Sequence, residues 1–182
     1  MKLEMEFRQF DEASYQATLK KWREEAETHD CFPEEVERKL NWIHCSLTSN
    51  KQEQHEVIPY GVFVGDSNIA AATCELVLSH RGQMNGKWLK LLKVTLSPEI
   101  ESLIQEDNYE AIATAVSAYK AATVGAYNAR LSHAADTLKL FGRDNDQLKF
   151  LMTLMSFIKE DPDNSSLVAS KEGRWLVLRS AT

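Results

Sequence analysis

Leu3, Met5 and Phe7 alternate with Glu4, Glu6 and Arg8 at the start of the chain. A period of two predicts a half-buried strand. The period then lengthens. Tyr15, Leu19, Trp22 and Ala26 recur at helical spacing, and Asp11 before them offers the side-chain acceptor that starts a helix. A second helix is predicted from Pro33, whose missing N–H costs nothing in a first turn, with Glu34 and Glu35 favoured there by the dipole. Its apolar stripe is Val36, Leu40, Ile43 and Leu47.

Polar residues from Thr48 to Gln54 predict a loop, after which the pattern shortens again. Val57 to Val64 and Ile69 to Leu78 read as antiparallel strands around the turn Gly65-Asp66-Ser67-Asn68. A turn from Arg81 to Gly86 leads to a third strand, Trp88 to Leu96, stopped by Pro98. Tyr109 to Arg130 is the clearest helix: Ile112, Val116, Tyr119 and Thr123 mark one side, lined closely by Ala111, Ala115, Ala118, Ala122 and Ala126. Thr137 to Phe141 follows as a short strand, so a right-handed parallel crossover is expected. A helix opening at Asn145 carries Leu148, Leu151, Leu154, Met155 and Ile158, and Asp161-Pro162-Asp163-Asn164 ends it. Leu167 to Ser170 and Trp175 to Arg179 form a last hairpin around Lys171-Glu172-Gly173.

These elements make one α/β (α+β) domain over residues 1–182, with no repeat, linker or low-complexity tract. A formal net charge of −6, with lysines and arginines scattered, argues against nucleic acid as a partner. No apolar run reaches the ~20 residues that span a bilayer, and residues 1–10 lack the apolar core of a signal peptide, so a cytoplasmic protein without membrane contact is expected. Cys31, Cys45 and Cys74 are odd in number and widely spaced, which implies no disulfide framework. His44-Cys45 and His29-x-Cys31 lack the partner pairs that a closed metal site needs, so no metal is expected. Gly-x-Ser-x-Gly and phosphate-loop patterns are absent.

The order strand, two helices, three antiparallel strands, helix, strand, helix, strand pair resembles the GNAT superfamily of acyl-CoA-dependent N-acetyltransferases. Three stretches are similar to it in sequence: the hairpin Gly61 to Ala70, the strand end Val94-Thr95-Leu96-Ser97-Pro98-Glu99, and Asn145-Asp146-Gln147-Leu148-Lys149-Phe150-Leu151-Met152, with Met155-Ser156-Phe157 where the family has Leu-Gly-Phe. The resemblance implies a mixed, mostly antiparallel sheet of about six to seven strands flanked by about four helices. It also implies that the fourth and fifth strands, here Trp88–Leu96 and Thr137–Phe141, diverge around acyl-CoA. It would place Thr95, Leu96, Ser97, Arg143 and Asn145 at the cofactor.

Two departures bear on activity. The family's glycine-rich pyrophosphate loop is replaced by Ile100-Glu101-Ser102-Leu103-Ile104-Gln105-Glu106-Asp107, which has no glycine and three acids. The tyrosine that serves as general acid is replaced by Met152, which has no proton to give. Each candidate residue also has a plain reading. Asn145 suits a helix cap, Thr95 and Ser97 suit strand-end turns, and Glu75, a candidate general base, suits a solvated strand face. Arg143 follows Gly142 at a strand end, where a guanidinium can take a carboxylate or phosphate. Two functions therefore stand side by side. One is a non-catalytic module that needs no cofactor and binds a protein or small ligand. The other is an atypical N-acyltransferase using acetyl-CoA on an amine. A homodimer is compatible with both, and the sequence has no coiled-coil heptads to predict one.

Overall fold

The computed structural model describes residues 4–30, 33–48, 55–80, 86–160 and 167–181. Leu3, Cys31, residues 49–54 of the first loop, residues 81–85 of the turn before the third meander strand and the Asp161–Asn164 break lie outside the described residues. The elements come in the predicted order, with one addition: β1 (Met5–Gln9), α1 (Glu12–His29), α2 (Pro33–Thr48), β2 (His55–Val64), β3 (Ala70–His80), β4 (Lys87–Leu96), α3 (Pro98–Gln105), α4 (Tyr109–Ser132), β5 (Thr137–Phe141), α5 (Asn145–Glu160), β6 (Leu167–Glu172) and β7 (Trp175–Ser180).

The seven strands are hydrogen-bonded in the order β1-β2-β3-β4-β5-β7-β6. β1 pairs antiparallel with β2, and β7 antiparallel with both β5 and β6. The β2–β3 and β3–β4 connections are shorter than the dozen or so residues a parallel crossover requires, so those neighbours are antiparallel too. β4 and β5 are parallel, from Trp88↔Thr137 to Leu91↔Leu140, and β4 runs on past that pairing to Leu96. This is the mixed, mostly antiparallel sheet expected from the sequence, with its parallel pair where the crossover was predicted.

Two expectations need correction. The resemblance places a loop after Ser97, but Pro98–Gln105 is a helix; with it five helices are described, in keeping with the expectation of about four. Its signals are local: Ser97 caps it, proline stands at its start, and Glu99 and Glu101 lie in its first turn. The side of α4 marked by Ile112 and Val116 is exposed, and the alanines Ala111, Ala115, Ala118, Ala122 and Ala126 form the buried face. Small side chains admit close backbone packing, and this outweighs the larger apolar area of the other side.

The chain divides into two compact units. The first comprises Met1–Gln52, Ile58–Glu75 and Val94–Gly125. Here α1 begins with a reciprocal box in which Asp11 accepts the Ser14 amide and Ser14 accepts the Asp11 amide. Its buried face carries polar groups with defined partners. The Thr18 hydroxyl accepts the Ala70 N–H at 3.0 Å, and the Trp22 indole donates to the Ala70 carbonyl at 2.8 Å. Helix side chains thus serve both backbone groups of the first residue of β3. Phe10, Tyr15, Ile43, Phe63 and Ala70 form one core cluster, so α1 and α2 cover the Phe63 face. Phe7 registers with Val62 and therefore points to the opposite face, where it stacks on Tyr60 at 4.7 Å. There α4 approaches so closely that a Cβ on Gly125 would collide with the Phe7 ring.

The second unit comprises Glu53–Val57, Leu76–Lys93 and Ala126–Thr182. Leu89, Leu91, Leu138, Leu140, Leu176 and Leu178 are buried on one face of β4, β5 and β7. α5 packs against β6 and β7. Gly142, directly after β5, donates its N–H to the Arg174 carbonyl at 2.9 Å and lies against Leu148 in the first turns of α5.

Candidate functional site

The β4–α3 junction is the place where the sequence departs most from its resemblance, and its donors can be accounted for one by one. A helix leaves its first N–H groups without intrahelical partners, and these are what an anion would use. Here the Ser97 N–H goes to the Ala71 carbonyl at 2.9 Å. Pro98 has no N–H. The Glu99 N–H goes to the Glu25 carboxylate at 3.3 Å, the Ile100 N–H to the Ser97 hydroxyl at 3.3 Å, and the Glu101 N–H to the Ser97 carbonyl at 3.0 Å.

Glu25 comes from α1 and is only 5% exposed. It was not a candidate on the sequence. The signal was its place three residues beyond Trp22, on the helix face that goes inward. Its carboxylate lies 3.6 Å from the Lys21 ammonium and accepts from the Glu99 N–H. Burial nevertheless dominates and raises its pKa above the ordinary 4.5. The folded state then holds this proton more tightly than the unfolded chain does. The associated stability is full below about pH 4.5 and is lost as pH rises through the raised value. Urea unfolding across that window should show this fall, and Glu25→Gln should flatten that part of the profile.

The other candidates are placed as follows. Ser97 is the N-cap of α3 and nearly buried, so its hydroxyl has the turn role rather than a free one. Leu96 is buried beside it. The Thr95 hydroxyl is buried with no hydrogen-bond partner among the described residues. Glu75 is half-buried on β3 and accepts from the nearly buried Lys39 ammonium at 3.3 Å, in an ion pair that ties α2 to the sheet. Its neighbour Cys74 is fully enclosed, and burial pushes the thiol up to about 12, which makes it an inert core residue at neutral pH. These residues all belong to the first unit.

Arg143 and Asn145 belong to the second unit. Arg143 is exposed, and its N–H donates to the Gln147 side chain at 3.1 Å. Asn145 is not the cap of α5. Asp144 is, accepting the Gln147 N–H at 2.8 Å, while Asn145 is the exposed first helical residue. Asp and Asn cap almost equally well, so adjacent candidates could not be separated by residue type. Met152 is half-buried on α5. Among the described residues no cluster of three or more His, Cys, Asp or Glu could hold a metal ion, and no helix is long and apolar enough to cross a membrane.

No protein-family model and no curated protein matches the chain. Solved structures similar to it include a GNAT-family acetyltransferase from Desulfovibrio desulfuricans, with 13% identity, 97% of this chain and 98% of that one covered, and a TM-score of 0.41. Another is a GNAT-family acetyltransferase from Staphylococcus aureus, with 9% identity, 97% and 99% covered, and a TM-score of 0.41. A third is a mutant of the toxin AtaT bound to the C-terminus of the antitoxin AtaR, with 13% identity, 97% and 92% covered, and a TM-score of 0.41. No residue role is carried over at these values. The GNAT-like reading of the fold rests on this chain's own element order and its parallel β4–β5 pair.

Proposed function

We propose that this chain is a GNAT-like domain that binds a protein or a small ligand and does not carry out acyl transfer. The observation that supports this reading is the closed donor set at the start of α3. A diphosphate needs several converging N–H groups. At this junction one position is proline, the other first-turn amides have internal partners, and one of those partners is the Glu25 carboxylate. An arriving phosphate would have to displace an anion already in place and accept Glu99 and Glu101 as neighbours. Fixed amides preorganised for a ligand are the family's way of holding it, and here they are preorganised for the protein itself. Met152 adds to this, since no phenol stands there to protonate a departing thiolate.

A thermal-shift titration with acetyl-CoA and CoA tests the reading. A site filled at ~100 times its dissociation constant adds about 2.7 kcal/mol, which is several degrees for a chain of this size. The expected result is no shift at millimolar acetyl-CoA or CoA. A rise of several degrees, with CoA released in the presence of an amine, would put the acyltransferase reading in its place.

A further inference from the structure

The face of the second unit opposite its leucine core carries a different set of groups. Side chains alternate along a strand, and residues in register share a face. Lys90 registers with Lys139, Lys139 with Val177, and Phe141 with Trp175. Trp88, Lys90, Thr137, Lys139, Phe141, Trp175, Val177 and Arg179 therefore lie on one side; Thr137, Lys139 and Val177 are buried there and Trp88, Lys90, Phe141, Trp175 and Arg179 are half-buried, while Leu138, Leu140, Leu176 and Leu178 on the other side are buried.

The charges on this face do not balance. Lys139 bonds one oxygen of Glu172 at 2.8 Å, and Arg179 bonds the other at 2.9 Å. Both oxygens of that carboxylate are engaged, and Lys90 has no carboxylate partner among the described residues. Its ammonium lies 5.6 Å from the Trp88 ring and 5.9 Å from the Trp175 ring, whereas Lys139 sits 4.0 Å from Trp88. Lys139 is seated on an indole; Lys90 is held loosely between two. Burial and the neighbouring Lys139 both disfavour its charge and lower its pKa. Three cations against one carboxylate also make this face locally positive in a chain of net charge −6.

A partly desolvated cation is costly until an anion joins it. The flanking indoles, with Phe141 tilted against Trp175 at 4.7 Å, favour a flat ring over an aliphatic chain. We propose that Lys90, between Trp88 and Trp175, binds a small aromatic carboxylate, whose oxygens meet the ammonium and whose ring packs on the indoles. This goes beyond the reading of the β4–α3 junction and uses none of its residues.

The test is a benzoate titration of the whole chain, followed by the indole N–H signals in nuclear magnetic resonance. Trp22 and Trp42 serve as internal references. Benzamide, which keeps the ring and loses the charge, and cyclohexanecarboxylate, which keeps the charge and loses the flat ring, are run beside it. The expected result is saturable movement of the Trp88 and Trp175 signals, strongest with benzoate. Lys90→Gln should weaken benzoate roughly tenfold or more, the usual effect of removing one charged hydrogen-bond partner, and Lys90→Arg should retain it. Both variants are checked for an unchanged melting temperature. Three outcomes would overturn the proposal: equal movement with benzamide, movement of all four indoles together, or benzoate binding unchanged in Lys90→Gln. If Lys90→Gln does not fold, loss of binding in Lys90→Arg decides against the site and its retention decides for it. Failure here leaves the acetyl-CoA titration unaffected, because that experiment uses a different ligand and is predicted from the β4–α3 junction, none of whose residues enter this site.

Discussion

Trp22→Ala should cost about 4 kcal/mol in a urea unfolding titration, within the range for deleting a large buried aromatic. Trp22 is 1% exposed, and its indole N–H is bonded to the first carbonyl of β3. The alanine variant therefore loses packing and also leaves the Ala70 carbonyl without that donor. A domain with ~5–15 kcal/mol in total would lose a large share of its stability. Trp22→Phe bounds the hydrogen-bond contribution from above, since it keeps one aromatic ring and removes the N–H together with the rest of the indole. It should cost about 1–2 kcal/mol. If alanine costs less than about 2 kcal/mol, α1 is not anchored at this point.

The second large effect is expected at Gly125. Glycine within a helix is worth about 1 kcal/mol less than alanine, so on propensity alone substitution should help. The Phe7 side chain reverses the sign, because any Cβ at position 125 would run into its Cβ and its ring. Gly125→Ala should give up its propensity gain and end destabilised by about 1 kcal/mol. Gly125→Val, with two more carbons and a stiff β-branch, should lose about 3 kcal/mol. Combining Gly125→Ala with Phe7→Gly, which removes the Phe7 Cβ as well as the ring, should cost clearly less than the two separate losses added together, as a shared clash requires. Simple additivity in the double-mutant cycle would show that the Phe7 side chain is not the obstacle.

Most of the element order was legible because each segment repeats a clear period. Tyr15, Leu19, Trp22 and Ala26 show a helix, and the turns at Gly65 and Gly173 mark two hairpins. α3 was missed because Pro98 carries two meanings: it ends a strand and it opens a helix. The alanine row of α4 was legible as the place of close approach, but the exposure of Ile112 and Val116 beside it was not, because apolar size is a poor guide where backbones approach closely. At the candidate site, the missing glycines and the acids after Pro98 were visible in the sequence. The reach of Glu25 from α1 was not, since residues 25 and 99 meet only through tertiary packing. The same holds for Lys90: periodicity gives its face, but only the register with β5 and β7 shows that Glu172 is already taken.

The Glu25 contact also limits how this scaffold could be altered. Adding glycines after Ser97 would loosen the backbone yet leave a carboxylate on the Glu99 amide and an imino acid at position 98. An engineer seeking a nucleotide binder would have to change two distant segments together, because removing Glu25 frees only the Glu99 amide and leaves position 98 without a donor. Each intermediate would lose a helix contact before any ligand could compensate for it, so the route back to a cofactor site runs through a stability trough.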